Sequence, residues 1–556
     1  MADISKKTQC SQKWTALDSQ FNIWKSLFKD ITDYMLPEHG NYLDRGKPDE
    51  STNIDRFRLI LNDVGSRANQ ILGAGMQGGL TSPSRRWFRL TLADRDLADF
   101  RPVKEWLHFA ERILYGIYAG SNFYTETQNV YESQGGFGTA VLFQEESQNT
   151  VATFRNFEIG EYRVALGADG VIDTCYRQFW MTSKQMYEMF GDNVSASVKT
   201  SVIDNSGPYQ YHQVLHVLEP RKHRNPGKID SPNKPYASVW IEMNGDDDQL
   251  LRDGGFEERP FVAPRWRKVG QNPYGFGPGL YARGNVKMIQ EQEKTGIKAL
   301  HREVDPPLSV PSQFKDIVSL LPGAANYRDG GTNEKIEAIL NVKMDLKALE
   351  FKIQQTEERI ERTFFNDLFM IIINAERAGR DVTATEILGR KEEKLLLLGP
   401  TIERQVKDFL DPTIERTFNI ALRKNLFPPV PEELSGQTWE IEYISVLAQA
   451  QKLADAQSLN SYLGEVERVS ALDPQMVYKT NFEEYLEQFA DIVGVPPDVI
   501  RTKDEFAEIR AQLAQLEQQR LQAEQQAAGA IDMKNMGDAS TQEGTALGDM
   551  KEAVSG

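Results

Sequence analysis

With 556 residues, the chain is too long for one hydrophobic core and predicts about two to four sub-domains. Its 40% hydrophobic and 26% charged content is that of an ordinary soluble protein, with a formal net charge of −17 and a pI near 5.1. That acidic balance is the wrong sign for a surface that wraps nucleic acid, so either nucleic acid is not a partner or it is one that must slide past unheld. No apolar run approaches the roughly 20 residues that span a bilayer. The first residues lack the apolar core of a secretory signal. Cys10 and Cys175 are the only cysteines, which predicts no disulfide framework and folding in a reducing cytoplasm.

Residues 12–36 predict an amphipathic helix with Trp14, Leu17, Phe21, Trp24, Phe28, Ile31 and Met35 on one stripe, ended by Pro37. Residues 37–56 are polar and predict a surface loop. A second helix is expected over Arg56–Leu72, its continuation GAGMQGGL being too glycine-rich for a stable helix interior. Arg101 to about Tyr131 is helical again. Between about Gly138 and Phe261 the period changes to β-branched and aromatic runs separated by Gly, Asp and Asn, with one helix near Thr182–Phe190. The first half is therefore α+β, within a chain that is mainly helical.

From Pro264 to Gly279 the prolines and glycines forbid a helix until Leu280. A long helix then carries Val286, Ile289, Ile297, Leu300 and Val304 and stops at Asp305-Pro306-Pro307. A second begins near Met344, with Leu346, Leu349, Ile353, Ile360, Phe364 and Leu368 on one face. Each helix should be roughly 35–40 Å long, and a stiff pair joined by a compact insert is a device for spanning distance. Thr385–Phe427 predicts helix with kinks or breaks at Pro400 and Pro412. Short helices follow to residue 500, after one strand-like TWEIEYIS. Residues 503–528 predict a helix with Phe506, Ile509, Leu513 and Leu516 near heptad core positions. Beyond Gly529 no periodicity remains, which predicts disorder.

Nothing in the chain predicts catalysis, a metal or a cofactor. His212 and His216 share a strand face, but no matching Cys or carboxylate completes a metal set, so they read as satisfied strand histidines. The glycine-rich segments lack the GK[ST] ending of a phosphate loop, and Gly275-Phe276-Gly277 reads as a tight turn. Arg85, Arg86, Trp87, Phe88 and Arg89 mix bases with aromatics as a nucleic-acid surface would, as does Arg265-Trp266-Arg267-Lys268. Without a surrounding basic excess, both read as anchors at a seam between elements or subunits.

Several segments, in this order, resemble the portal, or head-to-tail connecting, proteins of short-tailed bacteriophages. They are MQGGLTSPSRRWF (Met76–Phe88), RWRKVGQNPYGFGPG, Pro306-Pro307, Pro322-Gly323 and TATEI (Thr383–Ile387), and the resemblance covers roughly residues 10–525. It implies a ring, twelvefold in that family, at one capsid vertex. Residues 1–278 would form the wing, 279–304 and 343–369 the stem helices, and 305–342 the clip. Residues 370–384 would hold the tunnel loop, 385–429 the returning wing helix, 430–502 the crown, 503–528 a barrel helix and 529–556 a disordered tail. The clip, through Val310, Phe314, Tyr327 and Arg328, would dock the terminase packaging motor and the tail adaptor protein. Asn374, Glu376, Arg377, Arg380 and Asp381 would face double-stranded DNA in the channel. Phe506, Ile509, Leu513 and Leu516 would form the barrel core. The other implied partners are the major capsid protein and further copies of the chain, with no membrane insertion. The implied work is mechanical: nucleating the shell, passing DNA in, and releasing it through a short tail. Two alternatives are a packaging ATPase, disfavoured by the missing Walker A sequence, and a non-conducting oligomeric scaffold.

Overall fold

The computed structural model describes residues 5–48, 52–94, 97, 100–228, 230–245, 249–304, 308–309, 337–338, 345–370, 398–434, 439–445, 447, 462–470, 473, 475, 479–482, 484–486, 489 and 506–520. They fall into two compact units, Met1–Lys479 and Thr480–Gly556. Among these residues no helix is long and apolar enough to cross a membrane.

Helix α1 (Lys6–Tyr34) starts earlier than its apolar stripe predicts because the Ser5 hydroxyl caps it, accepting from the Thr8 amide at 3.2 Å. Its stripe serves two cores. Cys10 and Trp14 pack with Leu215, Val217 and Val239 of a sheet, while Phe21, Trp24 and Phe28 enter the main core. The segment expected to be a polar loop is folded instead, as a 3-10 turn (Pro37–His39), α2 (Gly40–Asp44) and α3 (Thr52–Phe57). Leu43 is buried there, and Arg45 ties the segment down by a double contact to Asp18 at 2.8 and 2.9 Å. These pieces are too short to carry a readable period.

The second expectation to fail is the glycine limit on α4, which runs Val64–Leu80 straight through GAGMQGGL. Each interior glycine costs about 1 kcal/mol in propensity, yet here it allows helices to touch. Next come α5 (Arg101–Ala119) and α6 (Phe123–Phe137). A Cβ on Gly73 would lie 2.4 Å from Glu132 Cγ, and one on Gly135 would lie 2.2 Å from Asn69 Oδ1. Close helix crossing overrides propensity.

Strand β1 (Phe88–Leu92) follows α4. Strands β2 (Val141–Ser147) and β3 (Val151–Phe157) form a hairpin, later joined on the β2 side by β9 (Phe261–Val262). A second sheet is an antiparallel meander of β4 (Tyr162–Leu166), β5 (Ile172–Thr182), β6 (Tyr211–Pro220), β7 (Tyr236–Glu242) and β8 (Arg252–Phe256). Between β5 and β6 lie α7 (Ser183–Phe190), opened by a reciprocal Thr182/Gln185 capping box, and α8 (Ala196–Ile203). The strand region was legible in the sequence except β8, whose Gly254 and Gly255 hide it.

Helix α9 (Pro278–Val304) leads to β10 (Leu308–Ser309), which pairs antiparallel with β11 (Glu337–Ala338) before α10 (Leu346–Thr363). The chain is helical again over 366–370 and from 398 onward, through a π turn at Val406–Leu410 into α11 (Asp411–Arg423). The wider turn immediately precedes Pro412 and absorbs its missing amide without breaking the rod. Strand β12 (Trp439–Tyr443) pairs with β1, Leu90 opposite Ile441, so residues near 440 are stitched to the first hundred. In the second unit, residues 506–520 are helical.

Candidate functional site

The long helix pair and the insert it carries are placed by the segment that precedes them. Gly275 donates its amide to Thr139 Oγ1 at 2.7 Å, and Phe276 donates to the Arg267 carbonyl at 2.9 Å. A Cβ on Gly277 would sit 2.3 Å from the Gln134 carbonyl oxygen, and one on Gly279 would sit 2.4 Å from that of Gly136. Backbone lies against backbone there, so only glycine fits. Tyr274 fills the space beside it, its ring 5.3 Å from Phe21 and 5.6 Å from Trp24. The turn reading holds.

Both basic-aromatic clusters are seams inside the chain. Trp87 and Phe88 are buried, and the Tyr115 hydroxyl accepts from both their amides at 2.8 and 2.9 Å. Arg265 and Trp266 are buried too; the Trp266 amide donates to the Gly138 carbonyl at 2.9 Å and its own carbonyl accepts from Arg404. The histidines are satisfied strand residues: His212 Nε2 lies 3.0 Å from Ser183 Oγ, and His216 Nε2 lies 2.9 Å from Ser238 Oγ. Among the described residues no group of three or more His, Cys, Asp or Glu side chains is placed to hold a metal ion.

A polar clamp fixes the near ends of α9 and α10. Gln290 Oε1 accepts from the amides of Leu61 and Asn62 at 2.8 and 3.0 Å, and its Nε2 donates back to the Asn62 carbonyl at 2.7 Å. The Asn62 side-chain amide then donates to Glu293 on α9 at 3.1 Å and to Glu357 on α10 at 2.9 Å. Asp30 on α1 adds ion pairs to Arg283 at 3.5 Å and Lys287 at 2.8 Å. Sequence reasoning missed this clamp. Its one signal was Gln290, a polar residue beside the apolar stripe at Ile289.

Along the pair, burial falls off with distance from the body. Val286, Ile289, Ile360 and Phe364 are buried, whereas Ile297, Leu300 and Phe351 are 43, 47 and 58% exposed. On α9 the predicted stripe is thus buried at Val286 and Ile289 but exposed at Ile297 and Leu300, while Phe351 lies off the predicted stripe of α10, whose Leu349 still reaches Gly296 of α9. The second helix is also shorter than expected. Its 18 residues span about 27 Å, because the rod breaks where Phe365 adopts a φ of 56°. That turn seats Leu368 and Phe369 in the core, against the glycine face of α4, where a Cβ on Gly75 would meet Phe369 Cβ at 2.3 Å.

The β10–β11 pair brings together the two ends of the insert between the helices. Val310, Phe314, Tyr327 and Arg328 lie outside the described residues, as do Asn374, Glu376, Arg377, Arg380 and Asp381. Phe506, Ile509, Leu513 and Leu516 lie on the 506–520 helix of the second unit, where Phe506, Leu513 and Leu516 are 41, 59 and 62% exposed. Among the described residues no core forms around them.

Residues 7–500 match the family described as bacteriophage head to tail connecting protein. The chain is 34% identical over 560 residues to the probable portal protein of Bordetella phage BPP-1, covering all of both chains. It is 36% identical over 555 residues to the portal protein of Salmonella phage epsilon15, covering 98% of each. A solved structure, the virion of the native gene transfer agent particle, aligns with 78% of this chain and 91% of its own at 12% identity, with a TM-score of only 0.31.

Proposed function

The chain belongs to the family of bacteriophage head-to-tail connecting proteins, and we propose that its copies close into a ring whose lumen is lined by α9 and α10. Its function is that of a portal at a capsid vertex, and it is a component of the phage particle. In our reading twelve copies conduct double-stranded DNA inward during packaging and outward during ejection, after nucleating a shell of the major capsid protein in the host cytoplasm. The 305–342 insert docks the terminase motor and later the tail adaptor, with Val310, Phe314, Tyr327 and Arg328 on its surface. Residues 374–381 face the DNA, and Phe506, Ile509, Leu513 and Leu516 bundle with their equivalents from other copies. The work is mechanical, without catalysis.

The observation that carries this reading is the helix pair: clamped and buried at one end, apolar yet exposed at the other, and closed at the tip by the β10–β11 pair. Exposed Ile297, Leu300 and Phe351 find cover when further copies stand alongside. The charges on the rods interleave, with Lys294 and Lys298 near Glu291 and Glu293 on α9, and Arg359 and Arg362 near Glu358 and Glu361 on α10. Such a surface does not grip phosphate. Negative-stain images of the purified protein test the reading: rings with an open axial hole are expected, and solid or open-ended assemblies would sink it. Replacing Val310–Tyr327 with a short Gly/Ser linker should leave rings that no longer bind motor or adaptor.

A further inference from the structure

A cavity of about 570 Å³ lies where the β2–β3 hairpin meets the five-stranded sheet and α7. Its chemistry differs from the rest of this acidic chain. Arg177, His216 and Trp240 stand opposite one another across β5, β6 and β7. The Arg177 guanidinium lies between two rings, 4.3 Å from the Phe157 centroid and 4.1 Å from that of Phe179. Glu161 accepts from its Nε at 2.9 Å and from Nη2 at 2.9 Å. Nη1 is left buried with no hydrogen-bond partner among the described residues, in a side chain only 8% exposed overall.

Arg155 lines the same cavity from β3, reaches solvent, and has no carboxylate within 4 Å among the described residues. The rim carries two acids, Glu145 and Glu188, the latter turned to Lys184 at 3.8 Å. Burial, reinforced by Arg177, Arg155 and Arg252, holds His216 well below its ordinary imidazole value and therefore neutral. Burial and Arg177 likewise lower Arg155 from the usual arginine range. Glu161 already pairs with Arg177, which leaves Arg155 as the cation of this cavity with no carboxylate bound to it among the described residues, placed where an anion entering the cleft would meet it. Apart from Gln185, the remaining walls are aromatic or thioether, the composition of a ligand pocket of this size.

We propose that this cleft binds a carboxylate carried on an apolar body, with the carboxylate on Arg155 and the apolar part against Phe157, Phe179 and Trp240. This site is independent of the helix pair and of the ring. The carboxylate can belong to a free small molecule or to a Glu or Asp side chain beside an apolar residue in a protein segment. Calorimetric titration of the full-length protein at low salt separates these with four probes: hydrocinnamate, its neutral amide, inorganic phosphate, and the peptide acetyl-Gly-Phe-Glu-Gly-amide. Saturable binding of hydrocinnamate, the peptide or both is expected, and which of them binds identifies the source. Loss of a charge-assisted hydrogen bond in R155Q, a substitution at an exposed position, should weaken that binding about tenfold or more. The neutral amide and phosphate should bind correspondingly worse. The proposal is overturned if neither carboxylate probe binds, if the amide or phosphate binds as tightly, or if R155Q, with an unchanged circular dichroism spectrum, binds as the wild type does.

Discussion

The near and far halves of the helix pair share the same apolar periodicity and are built for opposite ends. Near the body, Val286, Ile289, Ile360 and Phe364 are buried, and Asn62 and Gln290 lock both rods by hydrogen bonds. Farther out, Ile297 and Leu300 repeat the pattern but stay exposed, with no cover among the described residues. A stripe of apolar residues therefore says that a helix face will be covered, but not by what. The near half belongs to the fold of one chain, and in our reading the far half belongs to assembly.

Substitutions at the two ends should separate sharply. Ile360→Ala removes a fully buried side chain and should cost about 2–5 kcal/mol in urea unfolding, measured at a concentration where single chains dominate. An effect below about 0.5 kcal/mol would place Ile360 with the far half. Gly279→Ala forces a methyl group against the Gly136 backbone, which cannot swing away, and should cost about 1–3 kcal/mol.

A smaller effect, set by pH, is expected within the body. His39 Nδ1 lies 2.6 Å from Glu158, with Glu38 and Glu132 also bearing on it. Burial works against the imidazolium, but the Glu158 hydrogen bond and these carboxylates outweigh it and raise His39 above its ordinary value. Its contribution to stability is thus complete below the ordinary imidazole range and is lost as pH rises through the raised value. His39→Gln should flatten the stability profile across that window. An unchanged slope would show that the pair does not hold the Pro37–His39 turn to the end of β3. The smallest change in single-chain stability, within about 0.5 kcal/mol, is expected for Leu300→Ser. The same variant, combined with Ile297→Ser, should shift sedimentation away from rings toward single chains.

How much was legible follows from the range of the forces involved. Helix stripes and strand alternation are local, so β2 to β7 and the first long rod could be read within a few residues of their ends, and α1, α5 and the second rod as helices though not to their full bounds. So could the glycine turn before α9, because φ and Cβ restrictions act on single residues. The family resemblance rested on these same short segments. The short helices after Pro37 and the glycine-rich half of α4 were not readable, since each is paid for by contacts distant in sequence. The same holds for the β1–β12 pairing, which joins residues some 350 apart.

By itself the sequence determined the α+β character, the long rods around an insert and the absence of a recognisable catalytic motif, because propensity, period and residue chemistry are properties of neighbours along the chain. Tertiary structure alone decided that glycines in α4 are helix contacts rather than a helix end, and that Trp87-Phe88 and Arg265-Trp266 mark interior seams. It also decided that Arg177 lies stacked between rings, with one nitrogen unpartnered among the described residues. Those outcomes depend on which surfaces meet, and burial, unlike propensity, is set by neighbours in space.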